Sequence, residues 1–480
     1  MSGLLACVLF ASLLSGAGRA PQRKATPAER LPKVLARLVA EAEARSVRTG
    51  VWVASPDSRS PIYMHRAGEA FVPASNMKLF TAALVLELLG PEHRFETRFY
   101  LQDTAKGPAL RIESDGDPCL AGRFLGEKKH FDELVTALAK AGVEALPGGI
   151  LLDDRDWPGP ARPAGWNPRE FTKTYAPQTG AFVLDEGTIG VTVDPAGRSQ
   201  GACEIRLKPA HLKLPIRGAI RLTGDRKKGS RPIVALDAKG VRLEGLFYRR
   251  AGAATYRFAA RDAKAVYARV LEASLRAGGI QPGPFAETVP PRPEGATLLL
   301  ARKTPLSLAL ERMLRNSSNF QAEQCLRVAA WKQGGTGSLE AGRALLEAHF
   351  APPDGERQAW KVADGSGLAR ANRLSPRLIA RLLGRVRDSS YYAVYRNALA
   401  RGGVSGTLRS RFRGSLRGAV SAKTGTLRGA TSLSGYVRCK SGQSLIFSIL
   451  MNYDPERRGK LRSELRALQD RIVEQVFAAL

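Results

Sequence analysis

Pro73-Ala74-Ser75-Asn76-Met77-Lys78-Leu79-Phe80-Thr81-Ala82-Ala83-Leu84-Val85-Leu86-Glu87-Leu88-Leu89-Gly90-Pro91 opens on a serine and a lysine three residues apart, then runs apolar until a glycine and a proline stop it. The pattern predicts a helix from Ser75 to about Leu89, punctuated by Gly90 and Pro91. Apolar residues surround it on nearly every side, with Glu87 the one charged exception, so the helix belongs in a core. Residues i and i+3 share a helix face, and Lys78 can therefore reach the Ser75 hydroxyl. Ser75 sits where free N–H groups and the helix dipole favour negative charge. Burial lowers a lysine pKa, and the neutral amine can then act as a base. A serine with a lysine three residues on arises by chance on the order of once in a chain this long. The pair therefore needs company before it means anything.

A serine nucleophile needs a base, and the other sources of one are absent. None of the five histidines (His65, His93, His130, His211 and His349) stands in a recognisable triad context. Neither a G-x-S-x-G elbow nor an H-E-x-x-H zinc motif occurs. Two further motifs do occur. Ser317-Ser318-Asn319 lies as a short loop between predicted helices at 306–315 and 320–331. Lys423-Thr424-Gly425 lies on a predicted strand at 419–424, where an extended peptide could add by strand pairing while Lys423 takes its terminal carboxylate. Each alone has a structural reading, as a helix–helix turn or a charged strand end. All three in this order, on helix, loop and strand, are much rarer.

Around these motifs the chain organises itself. An amphipathic helix is expected at 31–44, strands at 49–54 and 61–64 around a Pro56-Asp57-Ser58 turn, a helix at 378–386, strands at 432–438 and 444–452, and a closing amphipathic helix at 459–480. Residues 94–289 have another texture: short alternating strands at 189–193, 203–207 and 241–247, frequent Gly and Pro, and few long helices. The Pro-rich stretch Pro290, Pro291 and Pro293 closes that region.

At 480 residues, two or three domains are expected from a prior of about 150 residues each. Leu4 to Leu14 form an apolar stretch followed by small residues, so residues 1–20 read as a signal peptide, although no Lys or Arg precedes the stretch. The mature region holds no run of about 20 apolar residues. The cysteines Cys7, Cys119, Cys203, Cys325 and Cys439 are widely spaced, which argues against a zinc site and a dense disulfide framework and leaves a single distant bridge open. Net charge is +30, but Arg and Lys are scattered, with no basic block interleaved with aromatics, so a nucleic-acid partner is not indicated.

With these residues in view, the chain resembles the D-alanyl-D-alanine carboxypeptidases/endopeptidases of the class C low-molecular-mass penicillin-binding proteins, relatives of the serine β-lactamases. The likeness spans nearly the whole mature chain. Beyond the three motifs it rests on Gly116-Asp117-Pro118, Asp364-Gly365-Ser366-Gly367-Leu368, Gly402-Gly403-Val404-Ser405-Gly406-Thr407-Leu408, Ala422 to Leu427, and Leu433-Ser434-Gly435-Tyr436. It implies an α/β (α+β) fold: an antiparallel sheet sandwiched by helices, formed by residues 30–95 and 298–480, with a β-rich insertion of one or two small domains at 96–297. It implies Ser75 as the acylated nucleophile and Lys78 as its base. Ser317 would relay a proton to the leaving amine, and Asn319 would orient Lys78 and the substrate amide. Lys423 with Thr424 would bind the carboxylate in a Lys423-Thr424-Gly425-Thr426 strand, and the N–H groups of Ser75 and Thr426 would form the oxyanion hole. The resemblance implies no cofactor and no metal. Peptidoglycan stem peptides are the expected substrates and β-lactams the covalent inhibitors, with a secreted or periplasmic location and at most peripheral membrane contact. A β-lactamase or esterase on the same scaffold, or a non-catalytic wall-binding protein, is the alternative; the insertion and the intact polar residues weigh against both. One segment departs from the family: after Tyr175-Ala176-Pro177 a small-residue stretch with an Asn-rich turn is replaced by Gln178 to Gly187. That departure bears on the side-chain specificity of the pocket, not on the core chemistry.

Overall fold

The computed structural model describes residues 26–56, 60–125, 129–197, 200–456 and 461–480. The expected signal peptide, Cys7, Asp57, Ser58 and the start of the last helix at Gly459 lie outside them.

Six strands form an antiparallel sheet in the order Ala400–Arg401, Val420–Leu427, Ala430–Arg438, Ser444–Asn452, Arg48–Ala54 and Tyr63–His65. The strands Ala430–Arg438 and Ser444–Asn452 are buried along nearly their whole length, as both faces of the sheet are covered. On one face lie helices Pro27–Glu43 and Leu461–Ala479, which meet across Arg45–Glu464 and Arg471–Glu41 ion pairs. Leu31, Leu35, Ile472 and Val476 close there over Val51, Val53, Leu433 and Phe447. On the other face, Ile379 and Leu383 of helix Pro376–Arg387 lie over Tyr436, Ile446 and Leu450, in a core shared with helix Met77–Leu89. The alternation that strand prediction looks for is muted in such doubly covered strands.

Two boundaries moved for identifiable reasons. The first helix starts at Pro27 rather than 31, because Thr26 caps it: Thr26 Oγ1 accepts from Glu29 N (3.3 Å) while a Glu29 carboxylate oxygen accepts from Thr26 N (2.6 Å), the reciprocal box that satisfies orphan donors. The strand expected to end at Thr424 runs on to Leu427 and turns through Arg428-Gly429, with Gly429 at φ +82°. Lys423-Thr424-Gly425 therefore sits mid-strand.

In the 96–297 region, strands Arg94–Thr104, Gly107–Ser114, Gly149–Asp153 and Thr297–Pro305 make a four-stranded sheet. The expected boundary thus falls on two strands, near 96 and 297, that pair with each other. Helices Asp132–Lys140 and Ala263–Ala277 bury Leu134, Leu138, Val270 and Leu271 in a core continuous with that of the Met77–Leu89 helix. The second of these helices, 15 residues long, is more helix than the texture of this region suggested. A separate small core of Val191, Val193, Ile220, Val241, Leu243 and Phe247 holds the short strands between 188 and 259 together. Among the described residues Cys119, Cys203, Cys325 and Cys439 are free and buried, and no helix is long and apolar enough to cross a membrane.

Candidate active site

Ser75 lies in a single 3-10 turn, Ala74–Asn76, that feeds directly into the Met77–Leu89 helix. Every residue from Met77 to Leu86 is buried, as the apolar run requires. The turn is held from outside the helix. Ala74 adopts φ +48°, in the left-handed region that costs a residue bearing a Cβ about 1–2 kcal/mol. Ser432 Oγ donates to Pro73 O (2.8 Å), Asn76 Nδ2 donates to Ser434 Oγ (2.7 Å), and the Asn452 amide closes both ways on the Val72 backbone (2.8 and 3.1 Å). Three sheet residues thus fix the segment that carries Ser75. Gly425 allows the close approach: a Cβ there would collide with Ser432 Oγ and come within 2.9 Å of the Pro73 carbonyl.

Lys78 is 0% exposed. Its Nζ donates to Ser75 Oγ (3.0 Å), Asn319 Oδ1 (2.6 Å) and Ser366 O (2.5 Å). Burial holds its pKa down to about 8, against the pull of Asp364 and Glu323, whose charges favour the ammonium form. Lys423 is also fully buried, and its Nζ donates to Ser317 Oγ and Thr424 O, both at 2.8 Å. Its pKa is likewise depressed, first by burial and then by the charge of Lys78. The charge of Lys78 is thus felt at Lys423. At Lys78 burial is the depressing influence, and the two carboxylates oppose it.

The loop Ser317-Ser318-Asn319 is taut. Ser317 stands at φ +65°, Ser318 caps the helix Asn319–Gly334 by accepting from Gln321 N, and Asn319 is the first residue of that helix. Asn319 is oriented at both ends, since its Nδ2 donates to Tyr175 O (2.7 Å) while its Oδ1 holds Lys78. Thr424 Oγ1 meets Thr407 Oγ1 at 2.8 Å, which gives the Gly402 to Leu408 segment its place beside the strand. All eight residues singled out in the sequence converge. Ser75, Lys78 and Asn319 form one hydrogen-bonded group, and Ser317, Lys423 and Thr424 a second. Ser75, Ser317, Thr424, Gly425 and Thr426 line a common cleft of about 600 Å³. In it the hydroxyls of Ser75, Ser317, Thr424 and Thr426 are only partly covered, whereas both lysines are buried. A second cleft of about 750 Å³ reaches Ser317 and Asn319 from the side of Tyr175 and Glu186.

Motif reading missed the support beneath these groups. Asp364 accepts from Trp166 Nε1, Ser366 Oγ, Gly367 N, Ala369 N and Asn372 Nδ2. It thereby shapes the loop whose Ser366 carbonyl holds Lys78. Glu323, one turn after Asn319, accepts from Gly365 N (3.3 Å) and Ser366 N (2.7 Å), and its pKa is pushed up to about 8 by burial. The helix Asn319–Gly334 has Gln321, Glu323, Gln324 and Arg327 all buried. A polar quartet on a helix with no polar face was the available signal. Gln324 and Arg327 bind Gly180 and Thr179, and Arg312 pairs with Glu186 through two contacts of 2.8 Å. The departing segment Gln178 to Gly187 is therefore docked against the Asn319 helix at the mouth of the site. Among the described residues no cluster of His, Cys, Asp and Glu could hold a metal ion.

The comparisons with known proteins agree with this architecture. Residues 31–472 match the family described as the D-Ala-D-Ala carboxypeptidase 3 (S13) family. The chain is 27% identical over 431 residues to the D-alanyl-D-alanine carboxypeptidase of Actinomadura sp. (strain R39), covering 84% of this chain and 77% of that one. It is 24% identical over 416 residues to the D-alanyl-D-alanine carboxypeptidase DacB of Haemophilus influenzae, covering 84% and 85%. The fold is similar to the crystal structure of penicillin binding protein 4 from Haemophilus influenzae, with a TM-score of 0.75 at 22% identity over 92% of this chain and 99% of that one.

Proposed function

The chain belongs to the D-Ala-D-Ala carboxypeptidase 3 (S13) family, and from that footing we propose that Ser75, activated by Lys78, opens D-alanyl-D-alanine bonds of peptidoglycan through an acyl-enzyme. Membership of this family makes the protein a serine D,D-peptidase, a hydrolase. The observation that carries the residue assignment is the contact of the buried Lys78 Nζ with Ser75 Oγ at 3.0 Å, in surroundings that lower the lysine pKa to about 8.

In the proposed reaction neutral Lys78 takes the Ser75 proton as Oγ attacks the carbonyl carbon. The N–H groups of Ser75 and Thr426 receive the oxyanion. Ser317 gives its hydroxyl proton to the departing amine and recovers one from the Lys78 ammonium. The bond to the leaving D-alanine breaks, and the acyl group stays on Ser75 as an ester. Water then attacks the ester as Lys78 accepts its proton, the bond between the acyl carbon and Ser75 Oγ breaks, and Lys78 returns the proton to Oγ. Asn319 keeps Lys78 on its target and faces the substrate amide. Lys423 and Thr424 take the terminal carboxylate, whose negative charge also favours the ammonium form of Lys423 that burial disfavours.

In the same proposal β-lactams acylate Ser75, residues 30–95 and 298–480 are the catalytic unit, 96–297 is an insertion into it, and the protein works outside the cytoplasmic membrane, where its substrate lies. The test is labelling with a fluorescent penicillin followed by peptide mapping. Stoichiometric label on Ser75, lost in Ser75→Ala with an unchanged thermal transition, is the expected result; label persisting in the variant would assign the nucleophile elsewhere.

A further inference from the structure

The two clefts share Ser317 and otherwise reach the site over different residues. The larger one carries Ser317 and Asn319, the latter assigned to the substrate amide, and lacks Ser75, Thr424 and Thr426. The smaller one contains Ser75, Ser317, Thr424 and Thr426, the groups assigned to the scissile bond and the carboxylate beyond it. Its far wall is the C-terminal helix Leu461–Ala479, which contributes Ser463, Arg466 and Asp470.

Arg466 is the notable residue on that wall. Its guanidinium donates to Thr426 Oγ1 at 2.9 Å, so it stands at the lip of the substrate strand. Arg411, beside it, is already neutralised by Asp470 through contacts of 2.9 and 2.7 Å. Arg466 has no carboxylate within ion-pair distance among the described residues, and its charged surroundings, Arg462 and Arg411 before Asp470, are mainly cationic. Arg466, exposed on the wall of a cleft of about 600 Å³ and without such a partner, favours an anion in that cleft, and its planar fork suits a carboxylate.

We propose that Arg466 forms a leaving-side subsite for an acidic peptide, so that the enzyme prefers substrates whose departing amine carries further carboxylates, as in a cross-linked stem-peptide dimer, over those that release D-alanine alone. This rests on the assignment of Ser75 and of the Lys423-Thr424 carboxylate site made above. The preference is for peptide-bond cleavage between stems, and it arises from charge beyond the residue that Lys423 and Thr424 hold.

The test compares kcat/KM for a cross-linked dimer, for the same dimer with its leaving-side carboxylates amidated, and for a pentapeptide ending in D-Ala-D-Ala, in the wild-type protein, Arg466→Gln and Arg466→Lys. We expect Arg466→Gln to lower the dimer-to-pentapeptide ratio about tenfold, the scale of one lost charge-assisted hydrogen bond, and Arg466→Lys to retain most of it. The amidated dimer should show the loss already in the wild-type protein. An unchanged ratio in Arg466→Gln, or an equal loss for the acidic and amidated dimers, overturns the subsite. Failure of the wild-type protein to cleave any of the three or to be acylated by penicillin overturns instead the reading on which it rests.

Discussion

A lysine ammonium removed from water can lower its free energy by gaining counter-charge or by losing its proton, and at Lys78 both pulls operate. Burial holds the pKa down to about 8, while Asp364 and Glu323 pull it up. In the proposed mechanism the neutral amine is the base, so the rate of penicillin acylation should rise with pH through about 8, well below the 10.4 or so of a free lysine. Glu323, itself pushed up to about 8, ionises over the same range, and its charge as it forms favours the ammonium; Glu323→Gln should therefore move that midpoint to lower pH. A stopped-flow pH profile checks both, and a midpoint that stays or rises in Glu323→Gln would show that the carboxylate does not act on Lys78. Lys78→Arg should lose ~10²–10⁴-fold in acylation, the usual contribution of a general base, because a guanidinium does not deprotonate in this range. Lys423→Arg should be milder, as its assigned role needs charge and reach rather than proton transfer. Near-normal acylation by Lys78→Arg would leave the base role to another group.

Among elements, the site depends on three backbones meeting closely: the turn at Ala74–Asn76, the strand Val420–Leu427 and the loop at Asp364 to Gly367. Glycines permit two of these meetings. A Cβ at Gly367, which has φ +80°, would collide with the Ala74 carbonyl; the left-handed backbone alone would cost about 1–2 kcal/mol. Gly367→Ala should therefore lower stability in a denaturant titration by at least that order and slow acylation as well, since the turn of Ser75 must shift. Gly425→Ala lies at φ values open to alanine but presses on Ser432 and the Pro73 carbonyl. It should cost acylation rate more than stability, and a variant with wild-type acylation would mean that the strand has slack against the turn.

For the whole molecule, 74 Lys and Arg stand against 44 Asp and Glu; surface ion pairs such as Arg48–Glu69, Arg206–Asp194 and Arg385–Glu87 take up charges of both signs equally and leave that excess intact. The remaining charge is spread rather than gathered into a block, and its attraction to anionic wall material is long-ranged and screened by salt. Binding of the Ser75→Ala protein to isolated sacculi should weaken steadily between low and physiological ionic strength. Binding indifferent to salt would assign the basic composition no part in it.

The sequence alone determined what chemistry depends on residue type and local period: the apolar run that buries Lys78, the three-residue step to Ser75, the motifs at Ser317 and Lys423, and helix bounds such as 306–315, which are those of the structure. It also carried the family, because the motifs stand in order on helix, loop and strand. What it could not supply was anything made by contact between distant segments. The support of Lys78 by Asp364 and Glu323, the docking of the 178–187 segment on Gln324 and Arg327, and the approach of Arg466 to Thr426 join residues from 40 to 286 positions apart. The strands at 432–438 and 444–452 were legible although both faces are covered, whereas the helices Asp132–Lys140 and Ala263–Ala277 were hidden among the short strands and frequent Gly and Pro of their region. Local pattern reports what a segment can be, and the packing of segments decides which buried polar groups find partners and where the cleft opens.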